Sequence, residues 1–233
     1  MHKFDDFLII IPAREGSKRL PNKNCKLLNG KPLISYTIES AIHSQFYSKI
    51  IISTDSKKIV EIAQDFNIEV NGLRPQELAQ DNSKIIDVVK YELEKEEKNG
   101  RFYKNVIILQ PTSPLRNNLH IDESVQLFRK TQADTLTAVK LVKEHPYYTW
   151  GKKNNFLSSF FPLRFQNLPK SKLPLIYIEN GSIYIVKSNI VNCGKLYGKR
   201  VVPFIMDENH SIDVDTFNDF LLAEILLKNS NSK

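Results

Sequence analysis

The sequence predicts an α/β protein built on a doubly wound, mostly parallel sheet. Short apolar runs rich in β-branched residues recur along the chain, and amphipathic helical patterns separate them. Runs that are apolar at nearly every position, instead of alternating, are typical of strands covered on both faces, as in a parallel sheet. The alternation of strands with helices favours the doubly wound arrangement.

Four apolar runs are predicted as strands, and four amphipathic stretches as helices. The strands are 7–11, 50–53, 106–109 and 183–186, and the helices are 32–44, 56–66, 82–98 and 215–227. Ser56 is expected to cap the second helix. The pair Asn99-Gly100 is expected to end the third helix. The fourth helix is expected to turn one apolar stripe toward the core, formed by Phe217, Phe220, Leu221 and Ile225.

Residues 144–174 interrupt this alternation. They hold four prolines and several aromatic residues, and this proline density excludes one long helix. Such a segment is either a flexible insertion or an arm whose aromatics bury against a partner, and the number of aromatics favours the arm. We therefore predict one α/β domain made of 1–143 and 175–233, with 144–174 inserted into it.

Composition and charge exclude several classes of protein. The 233 residues are 41% hydrophobic and 25% charged, which is ordinary for a globular protein. The net charge of +7 comes mostly from lysines spread along the chain, so we expect no nucleic-acid site, and an anionic small substrate is compatible with it. Cys25 and Cys193 have no metal or disulfide spacing. No run reaches the ~18 apolar residues of a membrane span, so we expect a cytoplasmic protein without a membrane partner.

A basic loop follows the first predicted strand. Arg14, Lys18, Arg19 and Lys23 lie close together in it, and ligands of open α/β sheets bind beyond the carboxyl ends of the strands. These cations suit a polyphosphate, although the segment matches neither a Walker A loop nor G-x-G-x-x-G. A solvated basic loop is the alternative.

Two further polar segments are candidates for binding. Residues 110–116 place Thr112 and Ser113 between prolines, which fits a rigid loop that binds a polyhydroxylated ligand or a plain proline-rich turn. If 211–216 is extended, Asp213 and Asp215 share one face. Two such carboxylates would hold Mg²⁺, or Asp215 caps the helix that follows.

Five segments, in this order, resemble those of the N-acylneuraminate cytidylyltransferases, the CMP-sialic acid synthetases. They are IPAREGSKRLPNKN, LRPQELAQDNS, LQPTSPLR, ENGSIYI and SIDVDT, and they cover nearly the whole chain. The resemblance implies a Rossmann-like nucleotidyltransferase fold with a small dimerisation arm, and hence a homodimer through 144–174. It implies that CTP and an N-acylneuraminate give CMP-N-acylneuraminate and pyrophosphate, with Mg²⁺, or Mn²⁺ in its place, as cofactor. Synthetases for legionaminic and pseudaminic acids share most of the pattern, so these two acids are the alternative substrates. Synthetases for 3-deoxy-octulosonate share less of the pattern, and that acid is a less favoured alternative.

The resemblance also implies roles for individual residues. The nucleotide-binding set is Arg14, Ser17, Lys23, Asn24, Arg74, Asp81 and Ser83. The sugar-binding set is Gln110, Thr112, Ser113, Arg164, Gln166, Asn180 and Tyr184. Asp213 and Asp215 match the metal-binding acids, and with Arg14 and Lys23 they form the catalytic set. The chain departs from the pattern at Glu15, where most relatives have glycine, and at Glu179, where several have arginine.

Overall fold

Ten strands and seven α-helices are present in the computed structural model, which describes residues 4–230. The strands are β1 (Phe4–Pro12), β2 (Leu27–Leu28), β3 (Lys31–Pro32), β4 (Lys49–Ser53), β5 (Phe102–Leu109), β6 (Thr135–Leu141), β7 (Trp150–Lys153), β8 (Phe156–Ser159), β9 (Tyr177–Lys187) and β10 (Val201–Ile205). The helices are α1 (Leu33–Ile42), α2 (Lys57–Asp65), α3 (Ile85–Lys98), α4 (Asn118–Thr131), α5 (Leu163–Gln166), α6 (Ser188–Asn192) and α7 (Phe217–Ser230).

Six of these strands form one central sheet in the order β10-β6-β9-β5-β1-β4. The pairs β1–β4, β1–β5 and β6–β10 are parallel. Strand β9 lies between β5 and β6 and runs antiparallel to both. The predicted α/β fold with a mostly parallel sheet is therefore confirmed, with one antiparallel strand inserted near the middle.

Helices cover both faces of the sheet, as the continuous apolar runs predict. Along β1, Phe7, Ile9 and Ile11 pack with residues of α1, α2 and α4 on one face. Leu8 and Ile10 pack with residues of α3 and α6 on the other. Successive side chains of a strand point to opposite faces, so an uninterrupted apolar run is what burial on both faces requires. Among residues 4–230, none of the helices is long and apolar enough to cross a lipid bilayer.

The ends of the predicted helices are confirmed in one case and revised in another. After α3, the N–H of Gly100 bonds to the carbonyl of Glu97, and that of Arg101 to the carbonyl of Glu96. This is a Schellman motif, with Gly100 at φ 78°, as Asn99-Gly100 predicts. Ser56 occupies the position before α2, but its side chain makes no capping hydrogen bond.

The apolar stripe predicted on the last helix is wrong. Only Phe220 of the four residues is buried, whereas Phe217, Leu221 and Ile225 are exposed. The helix packs through Phe220 and Ala223, against Leu28 and Leu33 among others. Because α7 is apolar on much of its circumference, the sequence pattern does not show which face meets the core.

Residues 144–174 fold outside the central sheet, between β6 and β9. They form the β7–β8 hairpin, α5 and two single 3₁₀ turns. Tyr147 stacks on Phe165 with ring centroids 4.8 Å apart, so part of the segment has its own small apolar contact. Phe156 and Phe160 remain 77% and 71% exposed. We call this segment the arm; its role in dimerisation stays a prediction.

Candidate active site

A cavity of about 330 Å³ lies at the carboxyl edge of β1 and β5. The loop after β1, the segment before α3, the loop after β5 and residues 213–215 contribute its walls. Most of the residues predicted from the resemblance line it: Arg14, Ser17, Lys23, Asn24, Arg74, Asp81, Ser83, Gln110, Thr112, Asp213 and Asp215. Segments far apart in sequence thus meet at one place, where open α/β sheets bind their ligands.

The loop after β1 is fixed by backbone hydrogen bonds. The Ala13 N–H donates to the Ser53 carbonyl at 2.9 Å, and the Glu15 N–H donates to Asp55 Oδ1 at 2.8 Å. Asn24 Nδ2 donates to the Arg14 carbonyl at 2.9 Å, while Asn24 Oδ1 is buried without a hydrogen-bond partner in the described chain. The Asn24 oxygen is therefore an acceptor available to a ligand hydroxyl. Glu15 itself is exposed and is not part of the cavity lining.

Two carboxylates pair with the four cations of this loop. Asp81 accepts from Arg14 at 2.6 Å and also pairs with Lys18. Hydrogen bonds from Lys18 and Arg14 hold the pKa of Asp81 below its usual value. On the other side, Asp215 pairs with Arg19 at 2.7 Å and with Lys23 at 2.9 Å. Four positive charges pair with two negative ones in and around this loop, and Arg14 and Lys23 are the two of the four that line the cavity, so this wall favours an anion.

The acid pair lies on one face of an extended segment, as predicted. Asp213 and Asp215 line the cavity, whereas Val214 between them is fully buried in the core. The Val214 N–H donates to the Thr112 carbonyl at 2.8 Å, which joins this segment to the loop after β5.

The alternative role of Asp215 as a helix cap is wrong. Thr216 caps α7: the Asp219 N–H donates to Thr216 Oγ1 at 3.3 Å, and the Thr216 N–H donates to Asp219 Oδ2 at 2.7 Å. This reciprocal arrangement is a capping box. The Asp215 carboxylate is therefore left to face the cavity.

The two acids fit a divalent cation. Asp213 Oδ1 is buried and has no hydrogen-bond partner among the described residues. Burial raises the pKa of Asp213 by more than the nearby Thr112 hydroxyl lowers it, and the neighbouring Asp215 charge adds to the rise. A buried carboxylate with an unpartnered oxygen beside a second carboxylate is a donor set suited to Mg²⁺.

One wall of the cavity is apolar, which the sequence did not reveal. Leu78, Ile85 and Val88 line it beside Arg74. Ile85 and Val88 are spaced i, i+3 on α3, so their side chains share one surface of the helix. Arg74 is buried, and burial lowers its pKa. Its guanidinium donates to the carbonyl and to the hydroxyl of Ser53. A flat apolar wall next to a fixed guanidinium suits a heterocyclic base.

Three of the predicted sugar-side residues are buried just outside the cavity lining. Ser113 is buried in the loop after β5. The Asn180 amide is held within the fold, because Oδ1 accepts from the Ser182 N–H at 3.1 Å and Nδ2 donates to Ser211 Oγ at 2.9 Å. The Tyr184 hydroxyl donates to Glu179 at 3.4 Å, and burial raises its pKa.

The other two, Arg164 and Gln166, lie on α5 in the arm. The Arg164 guanidinium lies over the ring of Phe165 at 5.0 Å. Gln166 Nε2 donates to Ser159 Oγ at 3.2 Å. Neither residue lines the cavity, so their assignment to the sugar site stays a prediction.

Comparisons with known proteins match this chain over nearly its whole length. Residues 8–214 match the family model described as cytidylyltransferase. A CMP-N,N'-diacetyllegionaminic acid synthase of Legionella pneumophila is 37% identical over 95% of this chain and 96% of its own. An N-acylneuraminate cytidylyltransferase of Escherichia coli is 33% identical over 96% of this chain, which spans about half (52%) of that protein. A pseudaminic acid cytidylyltransferase of Campylobacter jejuni is 30% identical over 95% of this chain and 96% of its own.

A solved structure supports the fold. The chain superposes on a CMP:2-keto-3-deoxy-manno-octonic acid synthetase in complex with CTP, with a TM-score of 0.73, over 97% of this chain and 100% of that one. The sequence identity is 18%, so this likeness bears on the fold alone.

Proposed function

The chain belongs to the cytidylyltransferase family, and we propose that it transfers CMP from CTP to a sialic-type acid sugar, with release of pyrophosphate. It is a nucleotidyltransferase, and its relatives act on sialic acid and on related nonulosonic acids. The observation that carries the proposal is the cavity itself, in which a cationic loop faces a pair of carboxylates. The same reaction on legionaminic or pseudaminic acid is the alternative.

The cationic wall is suited to the triphosphate. Arg14 and Lys23 would exchange Asp81 and Asp215 for phosphate oxygens when the nucleotide binds. Phosphoryl-type transfer needs positioning and charge neutralisation more than covalent help. Fixed cations at the β- and γ-phosphates stabilise the charge that develops on departing pyrophosphate.

The acid pair is suited to the reacting end. Mg²⁺ held by Asp213 and Asp215 would neutralise charge at the α-phosphate and lower the pKa of the attacking hydroxyl. In the reaction, the anomeric hydroxyl oxygen of the sugar would form a bond to the α-phosphorus, its proton would pass to solvent water, and the bond to the pyrophosphate oxygen would break. None of the predicted site residues is a strong general base, so a hydroxyl acidified by the metal is our account of the proton loss.

The remaining walls divide between base and sugar. Asn24 Oδ1 would accept from a ribose hydroxyl, and Arg74, Asp81 and Ser83 lie beside the apolar wall where the cytosine would bind. Gln110 and Thr112 also line the cavity, and the Thr112 carbonyl accepts from the Val214 N–H between the two acids, so the sugar would lie at this end of the cavity.

We propose further that the protein is a homodimer and that it works in the cytoplasm. The exposed aromatics of the arm support the dimer, because rings such as Phe156 are stabilised by contact with another apolar surface. The cytoplasm supplies CTP.

The test is pyrophosphate release from CTP and Mg²⁺ with four acids in parallel: N-acetylneuraminic, legionaminic, pseudaminic and 3-deoxy-octulosonic acid. Release with one preferred acid is the expected result, and it identifies the substrate. Parallel reactions with EDTA, and with Mn²⁺ in place of Mg²⁺, test the metal. A folded protein that binds no CTP, or that binds CTP and releases pyrophosphate with none of the acids, contradicts the proposal.

A further inference from the structure

Arg116 is a buried cation whose hydrogen-bond partners are all neutral. Its side chain is among the largest that are fully buried. Nη1 donates to the carbonyls of Gln110 at 3.3 Å and Ser182 at 3.1 Å, and Nη2 and Nε donate to Ser40 Oγ at 3.2 and 3.4 Å. Within residues 4–230, no carboxylate lies within ion-pair distance of this guanidinium. Burial lowers its pKa to about 9, so it keeps its charge at neutral pH.

A buried guanidinium of this kind lowers the stability of the fold. A buried charge without an ionic partner carries a desolvation penalty that neutral hydrogen bonds offset only in part. An apolar side chain of similar volume would fill the same space without that penalty. We therefore expect the hydrogen bonds of the guanidinium to serve the function of the protein rather than its stability.

Arg116 holds together two backbone segments that meet at the sugar end of the cavity. Gln110 follows β5, and its side chain lines the cavity. Ser182 lies in β9, and its N–H fixes the Asn180 amide. Between Asn180 and Ser182, Gly181 has φ +72°, and a Cβ placed there would lie 3.5 Å from Gln110 Nε2. The two segments are thus in close contact, and the planar guanidinium fork sets the spacing of their carbonyls.

We propose that Arg116 is a positioning residue for the acid sugar. It touches no substrate. By fixing the Gln110 and Ser182 carbonyls it sets the orientation of the Gln110 side chain, which lines the cavity. This inference rests on the proposed cytidylyltransferase reaction, and it assigns to Arg116 the selection of the sugar rather than the binding of CTP.

The test compares Arg116→Lys with wild type in the pyrophosphate-release assay. Lysine keeps the charge but cannot bridge both carbonyls as a fork. We expect KM for the preferred acid to rise about 10-fold or more, with KM for CTP within about 2-fold of wild type. Arg129→Lys is the matched control, since Arg129 is a half-exposed arginine paired with Asp6, and its kinetics should equal those of wild type.

A second variant keeps the proposal testable if Arg116→Lys does not fold. Ser40→Ala removes the hydroxyl that accepts from Nε and Nη2 and should raise KM for the acid about 3-fold, with CTP affinity unchanged. If these variants lower only the thermal midpoint, or raise both KM values equally, Arg116 has a structural role and the proposal is wrong. If wild type releases pyrophosphate with none of the acids, the proposed function itself is wrong. This outcome is distinct from a failure of the Arg116 proposal, which requires an active wild type.

Discussion

In the cavity, polar side chains are buried, whereas in the arm, aromatic side chains are exposed. Lys23, Asn24 and Arg74 are at least nine-tenths buried around the cavity. In the arm, Phe156 and Phe160 keep more than two thirds of their surface in water. Polar side chains are usually exposed and aromatic side chains are usually buried, so the two regions depart from the usual distribution in opposite directions.

The difference indicates what each region is built to bind. Buried polar groups are stabilised by charged or hydrogen-bonding partners, so the cavity suits a small polar anion with a metal ion. Exposed rings are stabilised by an apolar surface, so the arm suits another protein surface. Substitutions in the two regions should therefore change different properties of the protein, and four measurements test this expectation.

The largest effect is expected from Asp215→Asn. Turnover should fall about 10³-fold, because charge stabilisation at the α-phosphate is lost, while CTP affinity should stay within a few-fold since Lys23 and Arg19 are released from Asp215. Pyrophosphate release and equilibrium CTP binding measure the two quantities. Glu208→Gln changes an exposed acid that, among residues 4–230, forms an ion pair with Lys143, and it serves as the control. An equal loss of turnover and CTP affinity would contradict the metal-binding role of Asp215.

The arm is tested by the double substitution Phe156→Ser and Phe160→Ser. We expect sedimentation velocity to give a dimer for wild type and a monomer for the variant, with CTP affinity unchanged, because apolar contact is removed only from the arm. Leu119→Ser is the matched control, since Leu119 is an exposed apolar residue on α4. A wild type that sediments as a monomer at micromolar concentration would show that the arm has another role.

In the basic loop beside the cavity, burial should decide how much Lys18 and Lys23 each contribute to CTP binding. The side chain of Lys23 is 11% exposed and that of Lys18 is 83% exposed. Since exposed ion pairs contribute little, Lys18→Met should weaken CTP binding only about 2-fold, whereas Lys23→Met should weaken it about 30-fold. Calorimetric titration with CTP at one salt concentration measures both. Equal losses would mean that the loop acts through its net charge rather than through Lys23.

The smallest effect is expected at His120, which lies on α4 outside both regions. Its Nδ1 accepts from the Asn117 N–H at 3.2 Å in a capping box at the start of α4. Burial, with a contribution from His210, lowers its pKa from 6.5 to about 4. The folded state therefore resists protonation, and the free energy of unfolding should decline as pH falls from 6.5 toward 4 and be unaffected by this group above 6.5.

His120→Asn supplies an acceptor that does not titrate and should remove this part of the pH dependence. The thermal midpoint of wild type should drop by a few degrees more than that of the variant between pH 7.5 and pH 5. If both lose the same amount, other groups account for the acid sensitivity.

The parts of the fold that the sequence predicted share a physical cause. The buried parts of β1 and β4, residues 7–11 and 50–52, are apolar without interruption and are recognised directly. In β6, Thr135 and Thr137 are buried as well, but their hydroxyls made the segment look polar, so the strand was missed. Helix α4 was also missed, although Asn117 with His120 three residues later marks its start.

The sequence predicted the site residues that are charged and close together in the chain. It missed the residues that only packing brings to the cavity. The cationic loop and the pair Asp213 and Asp215 are visible as clusters of charge. The apolar wall at Leu78 and Ile85 is not, because only the packing of α3 decides which apolar residues face the cavity. Asn180 was predicted from the resemblance, but the sequence does not show that its amide donates to the distant Ser211, because that hydrogen bond exists only in the folded chain.

The position of β9 in the sheet also sets an order of events during synthesis. Strand β5 reaches its final neighbour on one side only when β9 has been made, and α4, β6 and the whole arm precede β9 in the chain. At about 5–20 residues per second, one edge of β5 stays open for several seconds after it leaves the ribosome. An open apolar strand edge is a template for wrong pairing, so a nascent chain of this protein is most exposed to aggregation while its arm is being translated.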